Sequence, residues 1–431
     1  MLFSPQAYAG LVIDITDGVE GSLPIAIVPF KEITADNPAV KSIRTPDIAS
    51  IIKANLRRTG QFNPLATNEL PEKPGIDDIV KFQRWKGAGV ENMVVGEIKQ
   101  LTSQRFQVTF KLFDVYTKQQ ILAYMYKAKF KNLRSVAHKI TDKIYEKLTG
   151  VRGDFDTRLT YIVAKNSLKN KKKKIYSLMV SESDGFNEQV VLRSGRPIMS
   201  PSWSPNGKRL AYVSFEKGRS TIYIQELRTG QRKLVSSFRG INSAPRWSPD
   251  GKKLAVSLSK DGNAEVYILY LDSGVLQRIT KHYAIDTEPA WSPDGTSLGF
   301  TSDRGGKPQI YEVAIGPKGK NGSPKRITFE GKYNTRVDYS PDGQFLTYIT
   351  IENGSFRVAL MDRKTGSVSI LTQSRLDESP SFSPNGMSVI YATELRGKGV
   401  LEVVPVNSGM SPHRLRVSYG DVREPSWSGF K

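Results

Sequence analysis

The segment Ser200-Pro-Ser-Trp-Ser-Pro-Asn-Gly207 recurs along the later part of this chain, and no other feature restricts the fold as much. Copies stand at Ala244-Pro-Arg-Trp-Ser-Pro-Asp-Gly251 and Glu288-Pro-Ala-Trp-Ser-Pro-Asp-Gly295. Altered copies follow at Arg336-Val-Asp-Tyr-Ser-Pro-Asp-Gly343 and Ser379-Pro-Ser-Phe-Ser-Pro-Asn-Gly386, then Glu424-Pro-Ser-Trp-Ser-Gly429. The anchors Trp203, Trp247, Trp291, Tyr339, Phe382 and Trp427 are 44, 44, 48, 43 and 45 residues apart. That is the period of a four-stranded propeller blade. Ser-Pro-Asp-Gly specifies a β-turn, because Pro presets φ at its second position and Gly accepts a positive φ. An apolar strand such as Leu254-Ala-Val-Ser-Leu258 follows, then an alternating one, Val266-Tyr-Ile-Leu-Tyr-Leu271. One such sheet cannot cover both of its faces, so neighbours must stack radially and bury each aromatic between blades.

The last copy has no room after it for three more strands. The missing strands lie upstream, at Leu159-Thr-Tyr-Ile-Val-Ala164, Ile175-Tyr-Ser-Leu-Met-Val180 and Gln189-Val-Val-Leu192, with no aromatic segment before them. The C-terminal strand is therefore expected to complete this first-begun blade. That closes a ring of six over residues 158–431 and removes two open sheet edges.

Ahead of the repeat the pattern changes to a small α+β domain, residues 10–150, joined by a linker at 151–157. Leu23-Pro-Ile-Ala-Ile-Val28 reads as a buried strand. Thr45 is expected to cap a helix that has Pro46 at its first position, ends at Gly60 and carries Ile48, Ile51, Ile52 and Leu56 on one stripe. A second helix is expected at 76–86, and strands at 92–97, 105–113 and 121–130. A last helix carries Leu133, Val136, Ile140, Ile144 and Leu148 and stops at Gly150, with His138 on its polar side. The fold class is mainly β: a six-bladed propeller preceded by a small α+β domain.

Composition narrows the chemistry. The 431 residues include no cysteine and three histidines, which excludes disulfides, thiolate metal sites and a Cys nucleophile. No window approaches the ~18 apolar residues of a spanning helix. Lys and Arg number 63 against 42 Asp and Glu, a formal charge of +21. The basic residues are scattered apart from the run at 171–174, and no nucleic-acid-binding motif accompanies them, so a solvated basic surface is expected. Residues 1–9 end in Ala7-Tyr8-Ala9, the small-x-small form of a signal-peptidase site, and read as a signal-peptide remnant.

Together the propeller repeat and the N-terminal segments resemble the TolB family, periplasmic components of the bacterial Tol–Pal system. The telling residues are Ile25-Ala-Ile-Val-Pro-Phe30, Asn55-Leu-Arg-Arg-Thr-Gly-Gln-Phe-Asn-Pro-Leu65, Glu146-Lys-Leu-Thr-Gly150 and Leu376-Asp-Glu-Ser-Pro380, beside the Trp-Ser-Pro-Asp-Gly copies. The resemblance implies a periplasmic, non-enzymatic adaptor without a cofactor. Its partners would be the lipoprotein Pal, docked over the mouth of the propeller channel, and TolA, with other Tol or outer-membrane proteins allowed. It also implies that residues 10–21 act as a movable strap toward TolA, engaging through Leu11, Val12, Ile13, Asp14 and Ile15. The alternation of that segment suits strand addition to a partner or, equally, an ordinary edge strand of the domain. The fourth copy departs from the motif, with Val337 and Tyr339 in place of Pro and Trp.

Residues just before each aromatic strand should ring one mouth of the channel. Blade by blade they are Met199 and Ser200; Asn242, Ser243 and Ala244; Asp286, Thr287 and Glu288; Thr335 and Arg336; Asp377, Glu378 and Ser379; Arg423 and Glu424. They are either a recognition surface on a rigid scaffold or turn formers and strand caps. The carboxylates of Asp286, Glu288, Asp377, Glu378 and Glu424 could gather a hard cation, but Arg336 and Arg423 share the ring, so solvated rim charges are expected and no metal site. An alternative function is a propeller-gated hydrolase or a carbohydrate-binding propeller. The hydrolase would need a Gly-x-Ser-x-Gly domain, and that motif is absent.

Overall fold

A computed structural model describes residues 21–34, 43–167, 173–316, 319–406, 409–417 and 420–431. These form two compact units, the first running to Asp156 and the second taking nearly all that follows Thr157. No helix among the described residues is long and apolar enough to cross a membrane.

In the first unit β1 (Leu23–Ile27), β2 (Lys31–Ile33), β3 (Phe62–Pro64), β4 (Asn92–Gln100), β5 (Arg105–Asp114) and β6 (Gln119–Lys129) make one sheet. Its order is β3-β1-β4-β5-β6, with β2 beside β4. α1 (Ile48–Arg58) and α3 (Leu133–Thr149) cover one face. Ile48, Ile52 and Leu56 meet Leu133, Val136, Ile140 and Ile144 over Phe106, Val108 and Phe110. Burial of such side chains contributes about 1.5–3 kcal/mol each. Trp85 of α2 (Phe82–Gly87) packs on the other face against Ala26, Val28, Met93 and Val95. Gly150 ends α3 at φ 75°, where a left-handed residue closes the last turn.

Three expectations are corrected here. The cap of α1 is Asp47, whose carboxylate accepts from Ser50 N at 3.0 Å, while Thr45 donates instead to Glu32. α2 begins only at Phe82, because Gly75 and the Asp77-Asp78 pair form turns first. His138 is buried, its Nδ1 2.9 Å from Asn55 Nδ2, because α1 packs against that flank of α3.

The second unit holds six four-stranded sheets. Their innermost strands are Ile198–Trp203, Asn242–Trp247, Asp286–Trp291, Asn334–Tyr339, Glu378–Phe382 and Asp421–Trp427. We number the blades in that order. Blade 6 is split as the repeat requires: Asp421–Trp427 runs antiparallel to Arg158–Asn166, with Trp427 opposite Leu159. Each aromatic anchor packs on the blade before it. Trp247 lies against Ala211, Val213 and Ile224 of blade 1, and Trp427 against Ile390, Leu401 and Val403 of blade 5. Trp203 meets Leu178 and Val180 of blade 6, so the apolar contact runs unbroken round the ring.

The Ser-Pro-Asp-Gly turns repeat their bonding. Ser248 Oγ donates to Asp250 Oδ1 at 2.5 Å and accepts from Lys253 N at 2.9 Å, while Gly251 takes φ 68°. Ser292 with Asp294 and Ser340 with Asp342 do the same. Serine and the acid are thus local turn ligands, and the glycine is needed for its backbone angle.

Candidate functional site at the mouth of the propeller channel

Every innermost strand shifts register midway, and the residue at the shift has a left-handed backbone. These residues are Ser200, Ala244, Glu288, Arg336, Ser379 and Glu424, with φ between 48° and 56°. In all blades but the fourth a proline follows, which cannot donate to the ladder and so belongs at a bulge. Arg336 keeps the same φ before Val337, so the altered fourth copy preserves the ring. A non-glycine residue held there costs on the order of 1–3 kcal/mol, a strain that clusters at functional sites.

The ring lines a cavity of about 160 Å³ to which all the blades contribute, through Met199, Ser200, Ser243, Ala244, Thr287, Glu288, Arg336, Ser379 and Glu424. A second cavity of about 310 Å³ shares Glu288 and Arg336 with it, and is floored by Tyr333, Ile349, Phe356 and Leu376 beside Thr335, Asp377, Glu378 and Arg423. A third, about 230 Å³, is lined by the aromatic anchors and the Ser-Pro turns. Arg246 and Val337's neighbour Asp338 line this third cavity, and Arg246 also reaches the first.

Arg336 is the electrostatic hub. Its Nε donates to Glu288 Oε1 at 2.8 Å and its Nη1 to Ser379 Oγ. Burial opposes its charge, but Glu288, Glu424 and Glu378 more than offset this and hold its pKa above the ordinary guanidinium value. Burial pushes the Glu378 carboxyl up, against the pull of Arg336. Glu424 accepts from Ser200 N across the seam between blades 6 and 1. Arg423 lies 3.7 Å from Glu378 and 3.2 Å from Asp421. The carboxylates therefore have a guanidinium as their counter-ion.

The expected rim residues divide into two groups. Met199, Ser200, Ser243, Ala244, Thr287, Glu288, Arg336, Glu378, Arg423 and Glu424 are exposed or half-buried, whereas Thr335 and Ser379 are buried in the wall. Asn242, Asp286 and Asp377 must be corrected as contact residues, because they are buried and hold loops. Asn242 Oδ1 accepts from Ser236 Oγ at 2.6 Å and Phe238 N at 3.0 Å; Asp286 pairs with Arg304 at 2.6 Å; Asp377 accepts from Thr372. The strap residues Leu11, Val12, Ile13, Asp14 and Ile15 lie outside the described residues.

The sequence reading missed an apolar collar. Phe238, Ile241, Tyr283, Ile285 and Phe329 sit on the loops entering blades 2, 3 and 4, with Tyr283 86% and Phe329 72% exposed. Leu376 adds to them before blade 5. The available signal was large apolar residues lying in turn-rich stretches just upstream of each repeat.

Residues 145–431 match the family model for the TolB beta propeller domain, and residues 11–121 that for the TolB amino-terminal domain. The chain is 50% identical over 426 residues to a Tol-Pal system protein TolB of Xanthomonas campestris pv. campestris (strain B100), covering 98% of this chain and 94% of that protein. It is equally 50% identical, over 424 residues, to that of Xanthomonas oryzae pv. oryzae (strain PXO99A). Among solved structures, TolB from Acinetobacter baumannii superposes with a TM-score of 0.85 at 39% identity, over 96% of this chain and 98% of that one.

Proposed function

The chain belongs to the TolB family of Tol–Pal system proteins, and from that premise we propose that it is a periplasmic, non-enzymatic adaptor. Its propeller mouth receives the lipoprotein Pal, and its strap at residues 11–15 engages TolA. In that role it supports outer-membrane integrity and invagination at division. The observation that carries the reading is the convergence of six strained backbone positions and an Arg336-centred charge cluster on one mouth, beside exposed apolar loops. Exposed aromatic side chains and arginine are among the residue types enriched at protein-binding surfaces. Large, scattered apolar side chains such as Phe329 and Tyr283 suit a folded partner better than a sugar or a scissile bond.

The test is affinity capture from detergent-solubilised envelope, followed by titration with the purified soluble domain of Pal. Recovery of Pal and saturable binding are expected. Absence of Pal from the capture together with a blank titration would refute the reading.

A further inference from the structure

The sheet of the first unit ends in β6, whose far edge pairs with no strand among the described residues. An open edge presents a row of unpaired backbone N–H and C=O groups. Its two faces differ in chemistry. Met125, Lys127 and Lys129 lie on one face, opposite Thr109, Gln107 and Arg105 of β5. Tyr124, Tyr126 and Ala128 lie on the other, opposite Phe110, Val108 and Phe106, which pack under α3.

Tyr124 and Met125 are 42% and 55% exposed, and Arg105, Lys127 and Lys129 are exposed beside them. Tyr124 stacks between Phe110 and Tyr126, each 6.2 Å away, and so stands ordered while still uncovered. The charge along this stretch of chain has one sign. From residue 115 to 141 the chain carries Lys118, Lys127, Lys129, Lys131, Arg134 and Lys139 and no Asp or Glu. Lys111, further along the sheet, is held by Ile76 O at 2.8 Å and Asp77 at 3.4 Å.

We propose that β6 is a second docking surface, which takes an acidic, extended segment of a partner protein as an added strand. Main-chain hydrogen bonds to the open edge supply affinity, and side-chain alternation sets selectivity. Carboxylates at every second position face Lys127 and Lys129, with Arg105 behind them. Apolar side chains at the intervening positions cover Tyr124 and Tyr126. Lysines by themselves can guard an edge against self-pairing. The uncovered tyrosine and methionine at mid-strand are what such guarding does not require. The surface lies in the first unit, so it stands or falls separately from docking at the propeller mouth.

The test uses the full chain and a labelled peptide of alternating Glu and Val, about as long as the 11-residue strand. A Lys-for-Glu peptide and phosphatidylglycerol vesicles serve as comparisons. The Glu peptide alone is expected to bind, more weakly as salt rises, and to protect β6 amides from hydrogen exchange. Lys127→Glu with Lys129→Glu should weaken it ~10- to 100-fold, and Tyr124→Ser about fivefold, with thermal midpoints unchanged. Equal binding of the Lys peptide, undiminished binding to the double variant, protection elsewhere in the chain, or binding of vesicles only would overturn the proposal. So would a Lys127→Ala, Lys129→Ala variant that self-associates while binding the Glu peptide no better or worse than before.

Discussion

Trp427 Nε1 donates to the hydroxyl of Thr157 at 2.9 Å, joining residues 270 positions apart. Arg158 N donates to Ser428 Oγ at 3.0 Å beside it. The ring is thus sealed by the strand that carries the last aromatic anchor, and this seam bears the closure of all six blades.

Removing the seam should be costly. Trp427→Ala deletes a buried indole from the blade 5–blade 6 core and should destabilise the propeller by about 3–5 kcal/mol. Deletion of residues 424–431 should lower it further, because two sheet edges open. Urea unfolding followed by circular dichroism measures both. A deletion variant that unfolds at the full chain's midpoint would contradict sealing at this seam.

Arg336 neutralises a mouth that otherwise gathers like charges. Arg336→Met should cost about 2–4 kcal/mol at neutral pH, because Glu288, Glu378 and Glu424 are left facing one another. Glu378, which burial and Glu424 already hold above the ordinary carboxyl value, then loses the pull of Arg336 that offsets them. The native variant therefore binds this proton more tightly and regains stability as pH falls. A loss independent of pH would mean that the arginine acts through packing alone.

Ring closure and blade count were legible in the sequence because turn chemistry and aromatic anchors repeat at one period, from Trp203 to Trp427. What lay hidden depends on the third dimension. Asn242, Asp286 and Asp377 look like rim polar groups in the chain, yet they turn inward because the loops above them need acceptors. The left-handed ring was equally silent. The proline after Ser200 or Glu288 marks an irregularity, but only the register shift fixes the sign of φ. Asp47 displaced Thr45 as the α1 cap because its carboxylate reaches Ser50 while Thr45 finds Glu32. The buried face of His138 was settled by Asn55, a packing partner distant in sequence.

Asp142 makes the first unit sensitive to pH. Burial, with smaller contributions from Asp154 and Asp156, raises its carboxyl from 3.8 to about 7, although it accepts from Phe155 N at 2.8 Å and Asp156 N at 3.2 Å. The native state then holds this proton more tightly than the unfolded chain, so its contribution to stability declines as pH rises from about 4 to about 7. Asp142→Asn should flatten that decline, by an amount on the order of 2–4 kcal/mol. Calorimetric melts of the full chain at several pH values across this range check it. Parallel curves for the two proteins would exclude the effect.

The collar loops should contribute to binding and not to folding. Tyr283→Ser and Phe329→Ser remove side chains that are 86% and 72% exposed, so melting temperatures should stay within about a degree. Each should weaken Pal binding by about 1–2 kcal/mol, read by calorimetric titration. Full affinity in both variants would confine the interface to the charged ring.

Docking at the mouth is tested most directly by altering it and the opposite end in parallel. Thr287→Arg and Ala244→Arg obstruct the ring, whereas Lys252→Glu alters an exposed turn of the Ser-Pro-Asp-Gly type. Titration of each folded variant with soluble Pal should show the ring substitutions weakening binding about a hundredfold or more and Lys252→Glu leaving it unchanged. Unaltered affinity in both ring variants, or a loss confined to Lys252→Glu, would contradict the account.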